Sequence, residues 1–260
     1  MTDVKIERLG PVTRITLNRP HAMNAITDLM HGQLQEAFDI FASDDAQQIC
    51  VITGAGDRAF CAGSDLKEAV ASGTPLRPYP ANGYAGLIER FDLSKPVIAV
   101  VNGLALGGGF EIALACDIVI ASADARFGLP EPLVGAVALG GGLHRLARQI
   151  GLKQAMGIVL ASRRVDAAEA LRMGFVTEVV APEALADATD RWCAAILRGA
   201  PLAIRASKET MMRGLDEPTL EQAIRAQGHY AAFARWAESE DLREGPRAFA
   251  EKRSPVWSGR

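Results

Sequence analysis

The 260-residue chain lacks the composition that marks several protein classes. Aromatic residues make up only 6%, and 28 Lys and Arg stand against 31 Asp and Glu, a net charge of -3. This balance of charges does not indicate the basic surface that a nucleic-acid-binding protein needs. No apolar run approaches the length that spans a membrane, and the N-terminus MTDVKIERLGPV has no signal-peptide pattern. We therefore expect a cytoplasmic protein that binds neither nucleic acid nor membranes.

Cysteine and histidine are also scarce, with four of each. Cys50, Cys61, Cys116 and Cys193 lack CxxC spacing, so we expect reduced, buried thiols and no disulfide scaffold. The histidines form no close pair in sequence, and we expect no metal site. Walker and GxGxxG motifs with their structural context are also missing, which argues against ATP and NAD.

Two glycine-bearing loops are the most informative feature that is present. They are AFCAGSDLKE at 59–68 and NGLALGGGFEIALACDI at 102–118. Each leaves a strand-like apolar run and enters a helix-like one. Three consecutive glycines, 107–109, cost stability at a helix start, but they let a ligand oxygen approach the unpaired N–H groups there. The pattern favours an oxyanion hole, and close packing of a helix on a strand is the alternative reading.

Strand and helix patterns alternate to about residue 180, which predicts a covered parallel sheet. Residues 4–18 read as two strands that turn at Gly10-Pro11. Residues 27–41 read as an amphipathic helix. A short helix is predicted to begin at an Asp166 cap and to stop at Gly174.

The loops and three further segments together resemble the enoyl-CoA hydratase/isomerase (crotonase) superfamily. The segments are ITLNRPHAMNAI at 15–26, DARFGLPEPLVGAV at 124–137 and SRRVDAAEALRMGFVTEVV at 162–180. Residues 82–103 and 244–260 most resemble the carnitinyl-CoA dehydratase branch. The resemblance implies an α/β fold, a spiral of ββα units over residues 1–198, followed by a C-terminal helical trimerisation region over 199–260. It also implies a homo-oligomer, either a trimer or a dimer of trimers.

The family pattern implies a catalytic set in this chain. The backbone N–H groups of Ala62 and Gly108 would bind the thioester oxygen. Glu111 would activate water and Glu131 would deliver a proton, because hydration of an enoyl thioester needs both a base and an acid. Taken alone, Glu111 could be a surface residue and Glu131, between two prolines, a solvated loop residue.

The same resemblance implies further contacts with substrate or CoA. The residues expected there are Ala62, Ser64, Asp65, Leu66, Leu139, Phe249 and Lys252. A solvated tail charge is the alternative for Lys252. Ala138-Leu139 departs from the family, which usually has proline followed by glycine or aspartate, and places an apolar side chain near the expected water site. Residues 72–83, rich in proline and glycine, are a candidate gate for the substrate, and a surface loop with no such role is an equal alternative.

The predicted function is hydration of an enoyl-CoA, with no cofactor other than the CoA carried by the substrate. The alternatives are a carnitinyl-CoA dehydratase, an enoyl-CoA isomerase, a CoA-thioester hydrolase that uses Ser64, and a non-catalytic CoA-binding paralogue. Leu139 counts against isomerases, since some use aspartate there. No GxSxG elbow surrounds Ser64. Both glutamates are present, which argues against a non-catalytic paralogue.

Overall fold

The computed structural model describes residues 2–73 and 78–260 of the chain. These residues group into two compact units. The first comprises Met1–Arg90 and Val97–Asp190, and the second comprises Phe91–Pro96 and Arg191–Arg260. The observed division therefore falls at 190/191, whereas the sequence places the start of the C-terminal region at 199.

The first unit holds every described strand and six complete helices. The strands are β1 (Val4–Leu9), β2 (Val12–Leu17), β3 (Ile49–Gly54), β4 (Ala59–Cys61), β5 (Val97–Val101), β6 (Leu104–Leu106), β7 (Ile118–Ser122), β8 (Arg126–Gly128), β9 (Val165–Asp166) and β10 (Glu178–Val180). The helices are α1 (Asp28–Ser43), α2 (Leu66–Ser72), α3 (Gly108–Ala115), α4 (Gly142–Ile150), α5 (Leu152–Leu160) and α6 (Ala167–Met173). The mixed α/β class predicted from the sequence is confirmed.

Two sheets are built from consecutive repeats of two strands and a following helix. The six-stranded sheet has the order β1-β2-β3-β5-β7-β10, and the four-stranded sheet has the order β4-β6-β8-β9. The pairs β3/β4, β5/β6 and β7/β8 each give their first strand to the larger sheet and their second to the smaller. The loops that follow β4 and β6 therefore lie side by side, because these strands pair in parallel.

The local predictions in this unit are confirmed. β1 and β2 form an antiparallel hairpin around Gly10, which has a φ of 59°. Thr27 caps the start of helix α1, and its side chain accepts the Met30 N–H at 3.2 Å. Its apolar face is buried, because Leu34, Phe38 and Phe41 recur at helical spacing. Such burial is worth about 2 kcal/mol for each large apolar side chain.

Helix α6 also begins and ends where the sequence predicts. The Asp166 carboxylate accepts the Glu169 N–H at 2.8 Å and so satisfies one of the free donors of the first turn. At the other end Gly174 adopts φ 95°, a left-handed cap, and its N–H bonds back to the Ala170 carbonyl.

Helix α7 (Leu185–Leu197) carries the chain into the second unit, which contains α8 (Pro201–Gly214), α9 (Leu220–Ala226), α10 (Ala231–Ala237) and α11 (Asp241–Ala250). Two buried carboxylates of α11 hold the C-terminal tail. Glu244 bonds Arg253 and the Val256 N–H, and Asp241 accepts the N–H groups of Ser258 and Gly259. The guanidinium of Arg253, the Val256 N–H and the guanidinium of Arg247 lower the pKa of Glu244 well below its usual range, Arg253 most of all.

None of the described helices is both long enough and apolar enough to cross a membrane. Within the same residues, no cluster of three or more His, Cys, Asp or Glu side chains could hold a metal ion.

Candidate active site

The two glycine-bearing loops meet above the ends of β4 and β6. A Cβ added to Gly63 would stand 3.2 Å from the Gly108 nitrogen and 3.0 Å from the Leu106 carbonyl. Gly63 also has a φ of 94°, in the left-handed region. Glycine is therefore required at this point both for its backbone conformation and for the close approach of the loops.

The Ala62 N–H is not free to bind a ligand. It donates to the Met23 carbonyl at 3.0 Å, which contradicts the prediction that it is one of the two oxyanion donors. The N–H of Ser64, two residues later, meets the requirement instead. The Ile26 N–H donates to the Gly63 carbonyl, and the Ile26 carbonyl accepts the Asp65 N–H. Because Ser64 lies between Gly63 and Asp65, its own N–H faces away from Ile26.

The backbone N–H groups at the start of α3 differ in whether they have an acceptor. The Gly107 N–H bonds the Gly128 carbonyl at 2.9 Å, whereas the N–H groups of Gly108 and Ser64 have no acceptor within the part of the chain that the structure describes. Gly108 is the first residue of α3, where backbone N–H groups lack helical partners and the helix dipole favours negative charge. Two unpaired donors therefore lie beside Gly63.

Glu111 lies on the first turn of α3 and is 3% exposed. Its Oε1 accepts the Gly142 N–H at 2.9 Å. Burial raises the pKa of Glu111 to about 7, the negative charge of Glu131 adds to this, and the N–H groups of Gly142 and Gly140 and the charge of Arg145 oppose it. The surface-residue alternative is thus wrong, and Glu111 can exchange a proton near neutral pH.

Glycines form the wall against which the Glu111 side chain packs. A Cβ at Gly142 would stand 2.8 Å from the Glu111 Cγ, and a Cβ at Gly140 would collide with the carboxylate. Leu139, the preceding residue, is 57% exposed. Glycine, not Leu139, is therefore the residue of this segment that presses on Glu111.

Glu131 opens the short 3-10 helix Glu131–Val134 after β8 and is half-buried. Its Oε1 would lie 3.1 Å from a Cβ at Gly107, which places the carboxyl beside the oxyanion loop. Burial raises the pKa of Glu131. Its Oε2 is buried and has no hydrogen-bond partner among the described residues.

The two carboxyls therefore have different surroundings. Glu111 accepts the N–H of Gly142, which favours its ionised form. In Glu131 only the residue's own backbone N–H opposes the effect of burial, and Oε2 has no partner among the described residues. Two buried carboxyls whose charges interact hold one proton more readily than none. Such a pair can supply a base and an acid together.

Asp65 has a structural role in this loop. Its carboxylate caps α2 by accepting the N–H groups of Lys67 and Glu68 and pairs with Arg19 at 3.0 Å. Its N–H donates to the Ile26 carbonyl. Leu66 follows with a 57% exposed side chain, so of these two predicted contacts Leu66 has the more available surface.

Three rings gather near the two carboxyls. Tyr84 meets His31 and Tyr79 edge to face, with centroid distances of 4.7 Å and 5.3 Å. Burial raises the pKa of Tyr79, and the charges of Glu111 and Glu131 raise it further. Burial lowers the pKa of His31 to about 4 against the pull of Asp28, so its imidazole is neutral at neutral pH.

His31, Tyr84 and the glycine wall were not among the residues predicted from sequence, whereas Tyr79 falls within the predicted gate. Gly140 and Gly142 could have been found, because the GGG run at 140–142, after Glu131, repeats the run at 107–109 in the second loop. Nothing local marks His31, which looks like an ordinary position of an amphipathic helix. Residues 74–77 of the predicted gate lie outside the described residues, while Tyr79 belongs to the part that is described.

Phe249 and Lys252 lie in the second unit, at the end of α11 and just after it. Phe249 is 87% exposed, an unusual position for a phenylalanine, and Lys252 is exposed with φ 56°. Both side chains are therefore available for contact with another molecule.

Comparisons with known proteins agree with this geometry. The sequence pattern of the family described as enoyl-CoA hydratase/isomerase matches residues 7–260. The chain is 43% identical to a carnitinyl-CoA dehydratase of Citrobacter koseri over 258 residues, 97% of each chain. It is 44% identical to the enzyme of that name from Proteus mirabilis over 253 residues, 96% of each.

Solved structures give the same result. An enoyl-CoA hydratase from Mycobacterium marinum superimposes with a TM-score of 0.91 at 36% identity, covering 99% of both chains. One from Bacillus anthracis does so with a TM-score of 0.90 at 30% identity, covering 100% of both. The fold is thus the crotonase-like one that the sequence predicted. A match over almost the whole length, in sequence and in structure, shows that this chain belongs to the enoyl-CoA hydratase/isomerase family.

Proposed function

We propose that this protein catalyses the reversible addition of water across the 2,3 double bond of an enoyl-CoA thioester. The observation that carries the proposal is the pair of carboxyls formed by buried Glu111 and half-buried Glu131, beside two unpaired backbone donors. The comparisons support the coarser statement, an enzyme of the hydratase and dehydratase type.

In this mechanism the thioester oxygen binds the N–H groups of Ser64 and Gly108. Negative charge grows on that oxygen as water adds to the β-carbon, and fixed donors stabilise it without reorganisation. Removing one such donor typically costs about 3 to 4 kcal/mol of transition-state stabilisation. The donors bind the neutral carbonyl of the substrate less strongly than the charged oxygen of the transition state. They therefore accelerate the chemical step more than they tighten substrate binding.

The two carboxyls divide the proton transfers. Glu111, held by the Gly142 N–H, takes a proton from water as its oxygen bonds to the β-carbon. Glu131 gives its proton to the α-carbon, and the enolate electrons return to form the new C–H bond. The proton on Glu111 then passes to Glu131, either directly or by exchange with solvent, which restores the starting state.

Loss of the enoyl-thioester absorbance of crotonyl-CoA tests this proposal. We expect turnover by the wild-type protein and a drop of about 100-fold or more for Glu131→Gln, as for a lost general acid. Retention of CoA-ester binding by the variant serves as the control for folding. Absence of turnover by CoA-binding wild-type protein would contradict simple short-chain hydration.

A second candidate is the carnitinyl-CoA dehydratase reaction, in which the acyl chain bears a quaternary ammonium group. Two observations favour it, the names of the curated relatives and the ring of Tyr79, 40% exposed, beside two carboxyls. Aromatic faces attract such cations by about 0.5 to 2 kcal/mol. Leu139 could line the outer part of the same acyl site.

Competition between crotonyl-CoA and crotonobetainyl-CoA separates the two candidates. Preference for the cationic substrate, reduced by Tyr79→Leu and retained by Tyr79→Phe, supports the dehydratase. Equal loss with both substrates in Tyr79→Leu would count against a cation contact and leave hydration of a neutral chain.

The remaining expectations are part of the same proposal. CoA arrives on the substrate and no other cofactor takes part. Exposed Phe249 and Lys252 suit contact with the adenine ring and phosphates of CoA, and the protein works as a trimer or a dimer of trimers in the cytoplasm.

A further inference from the structure

The hydroxyl of Tyr84 occupies an unusual position for a core tyrosine. The residue is 1% exposed, and its ring lies so close to Gly108 that a Cβ there would collide with the ring and the hydroxyl. Gly108 is the first residue of α3, where one of the two unpaired donors is found. The phenol therefore lies at the oxyanion loop itself.

The same hydroxyl also reaches the other loop. Its oxygen lies 3.2 Å from the Ser64 Oγ, the side chain of the residue that carries the second unpaired N–H. In the arrangement with Ser64 as donor, the phenol accepts that bond and its own proton has no acceptor among the described residues. A fully buried donor without an acceptor is uncommon in folded proteins and calls for a ligand.

Packing of the ring adds a second constraint. Tyr84 is held edge to face by Tyr79 and His31, and the adjacent Ala85 N–H bonds the His31 Nδ1 at 3.0 Å. Ala85 has φ 56°, in the left-handed region, which costs about 1 kcal/mol of backbone strain. The hydroxyl is thereby fixed before any ligand arrives.

We propose that the Tyr84 hydroxyl is a third donor to the thioester oxygen, joining the N–H groups of Ser64 and Gly108. The inference rests on the proposed function, since it assigns this donor to the transition state of enoyl-thioester hydration. No proton is transferred in this step. The O–H bond stays intact and shortens its hydrogen bond as charge develops on oxygen, while Ser64 Oγ donates to the phenol oxygen from behind.

The chemistry of the phenol suits this role. Burial raises the pKa of Tyr84 well above its usual value, and Cys61, Tyr79 and Glu111 act in the same direction against the hydrogen bond with Ser64. The hydroxyl therefore remains a neutral donor throughout the pH range of the reaction. A neutral donor strengthens with charge on its acceptor, which is the property that accelerates the chemical step.

Tyr84→Phe tests the proposal by removing one oxygen atom and almost no volume. We expect kcat for hydration to fall by about 10- to 100-fold while KM changes little, because the lost bond acts mainly in the transition state. Tyr230→Phe, a loss of oxygen from another buried tyrosine in the second unit, is the matched control and should retain activity. An unchanged kcat in Tyr84→Phe would overturn the proposal.

A spectroscopic readout separates this inference from the proposed function. Bound 2,4-hexadienoyl-CoA absorbs at longer wavelength when donors polarise its thioester carbonyl, and the Glu131→Gln background prevents turnover. We expect the red shift in Glu131→Gln to shrink when Tyr84→Phe is added. A full red shift in the double variant, even with slow turnover, would assign Tyr84 a packing role only and overturn the proposal.

Failure of the proposed function would look different. In that case wild-type protein would not hydrate crotonyl-CoA or crotonobetainyl-CoA, while the red shift and its dependence on Tyr84 would still report the donor. Ser64→Ala, which keeps the backbone N–H and removes the hydroxyl behind the phenol, should reduce the red shift less than Tyr84→Phe. A larger loss in Ser64→Ala would assign the donor to Ser64 rather than to Tyr84.

Discussion

Glu111 sets the pH dependence expected of this enzyme. A base must be ionised to accept a proton, and burial raises its pKa to about 7. Activity should therefore be present above that pH and be lost as pH falls through it, by about tenfold per pH unit at the limit. The dependence of kcat/KM on pH, measured from about pH 5 to 8, checks this, and a flat profile over the range would refute the assignment.

The glycines against Glu111 can be tested one Cβ at a time. In Gly142→Ala the new methyl group would stand 2.8 Å from the Glu111 Cγ and displace the carboxylate. We expect a loss of kcat of about 100-fold, since small misplacements of a catalytic group are costly. Gly157→Ala is the matched control, because its Cβ meets nothing within 4 Å in helix α5, and it should retain full activity. Similar activity losses in both variants would contradict the argument.

Single residues also show where sequence reasoning ended. Glu111, Glu131 and Gly108 could be assigned because a family pattern carries them and each occupies a recognisable turn or helix start. Ala62 could not be distinguished from Ser64, because the choice depends on the Met23 carbonyl, which lies about 40 residues away in sequence and takes the Ala62 N–H. The role of Tyr84 could not be predicted from the sequence for the same reason, since it depends on contacts with two separate loops.

At the scale of elements, caps give the most direct prediction. Asp166→Ala removes the acceptor for the Glu169 N–H at the start of α6 and should cost about 1 kcal/mol of stability. For a chain of this size the melting temperature should fall by about 2 to 4 °C. Thermal unfolding of Asp166→Ala and Asp166→Asn checks this, because asparagine can still cap the helix. An equal loss of melting temperature in both would show that the cap is not responsible.

Elements were easier to predict than the contacts between them. The hairpin, α1 and α6 follow from local patterns of glycine, capping residues and apolar spacing, and all three are confirmed. The assignment of β4, β6 and β8 to a separate sheet does not follow from their three-residue sequences. It is decided by pairing partners that are distant along the chain.

At the scale of the molecule, the second unit has large apolar side chains that are exposed in the single chain. Its large exposed apolar side chains on α8 and α9 and between them are Met211, Met212, Leu215, Leu220 and Ile224. Such surface often marks contact with another subunit. We expect the wild-type protein to be a trimer or a dimer of trimers and Leu220→Glu to shift it to smaller species. Light scattering after size exclusion measures this.

Leu9→Glu is the control for that experiment, because Leu9 is also exposed but lies on the edge strand β1 of the first unit. It should leave the molar mass unchanged. A monomeric wild-type protein, or equal dissociation by both substitutions, would count against the α8–α9 surface as the contact.

The loops that follow β4 and β6 belong to successive repeats, and their strands pair Ala59 with Leu104 across a long stretch of chain. Pairings of this kind form late, because the intervening segment must first be closed. A partly refolded chain can thus have most of its helices, as measured by circular dichroism, before the N–H groups of Ser64 and Gly108 lie side by side. The rate at which enzymatic activity returns during refolding therefore measures this last tertiary step. The return of activity should lag behind the recovery of secondary structure.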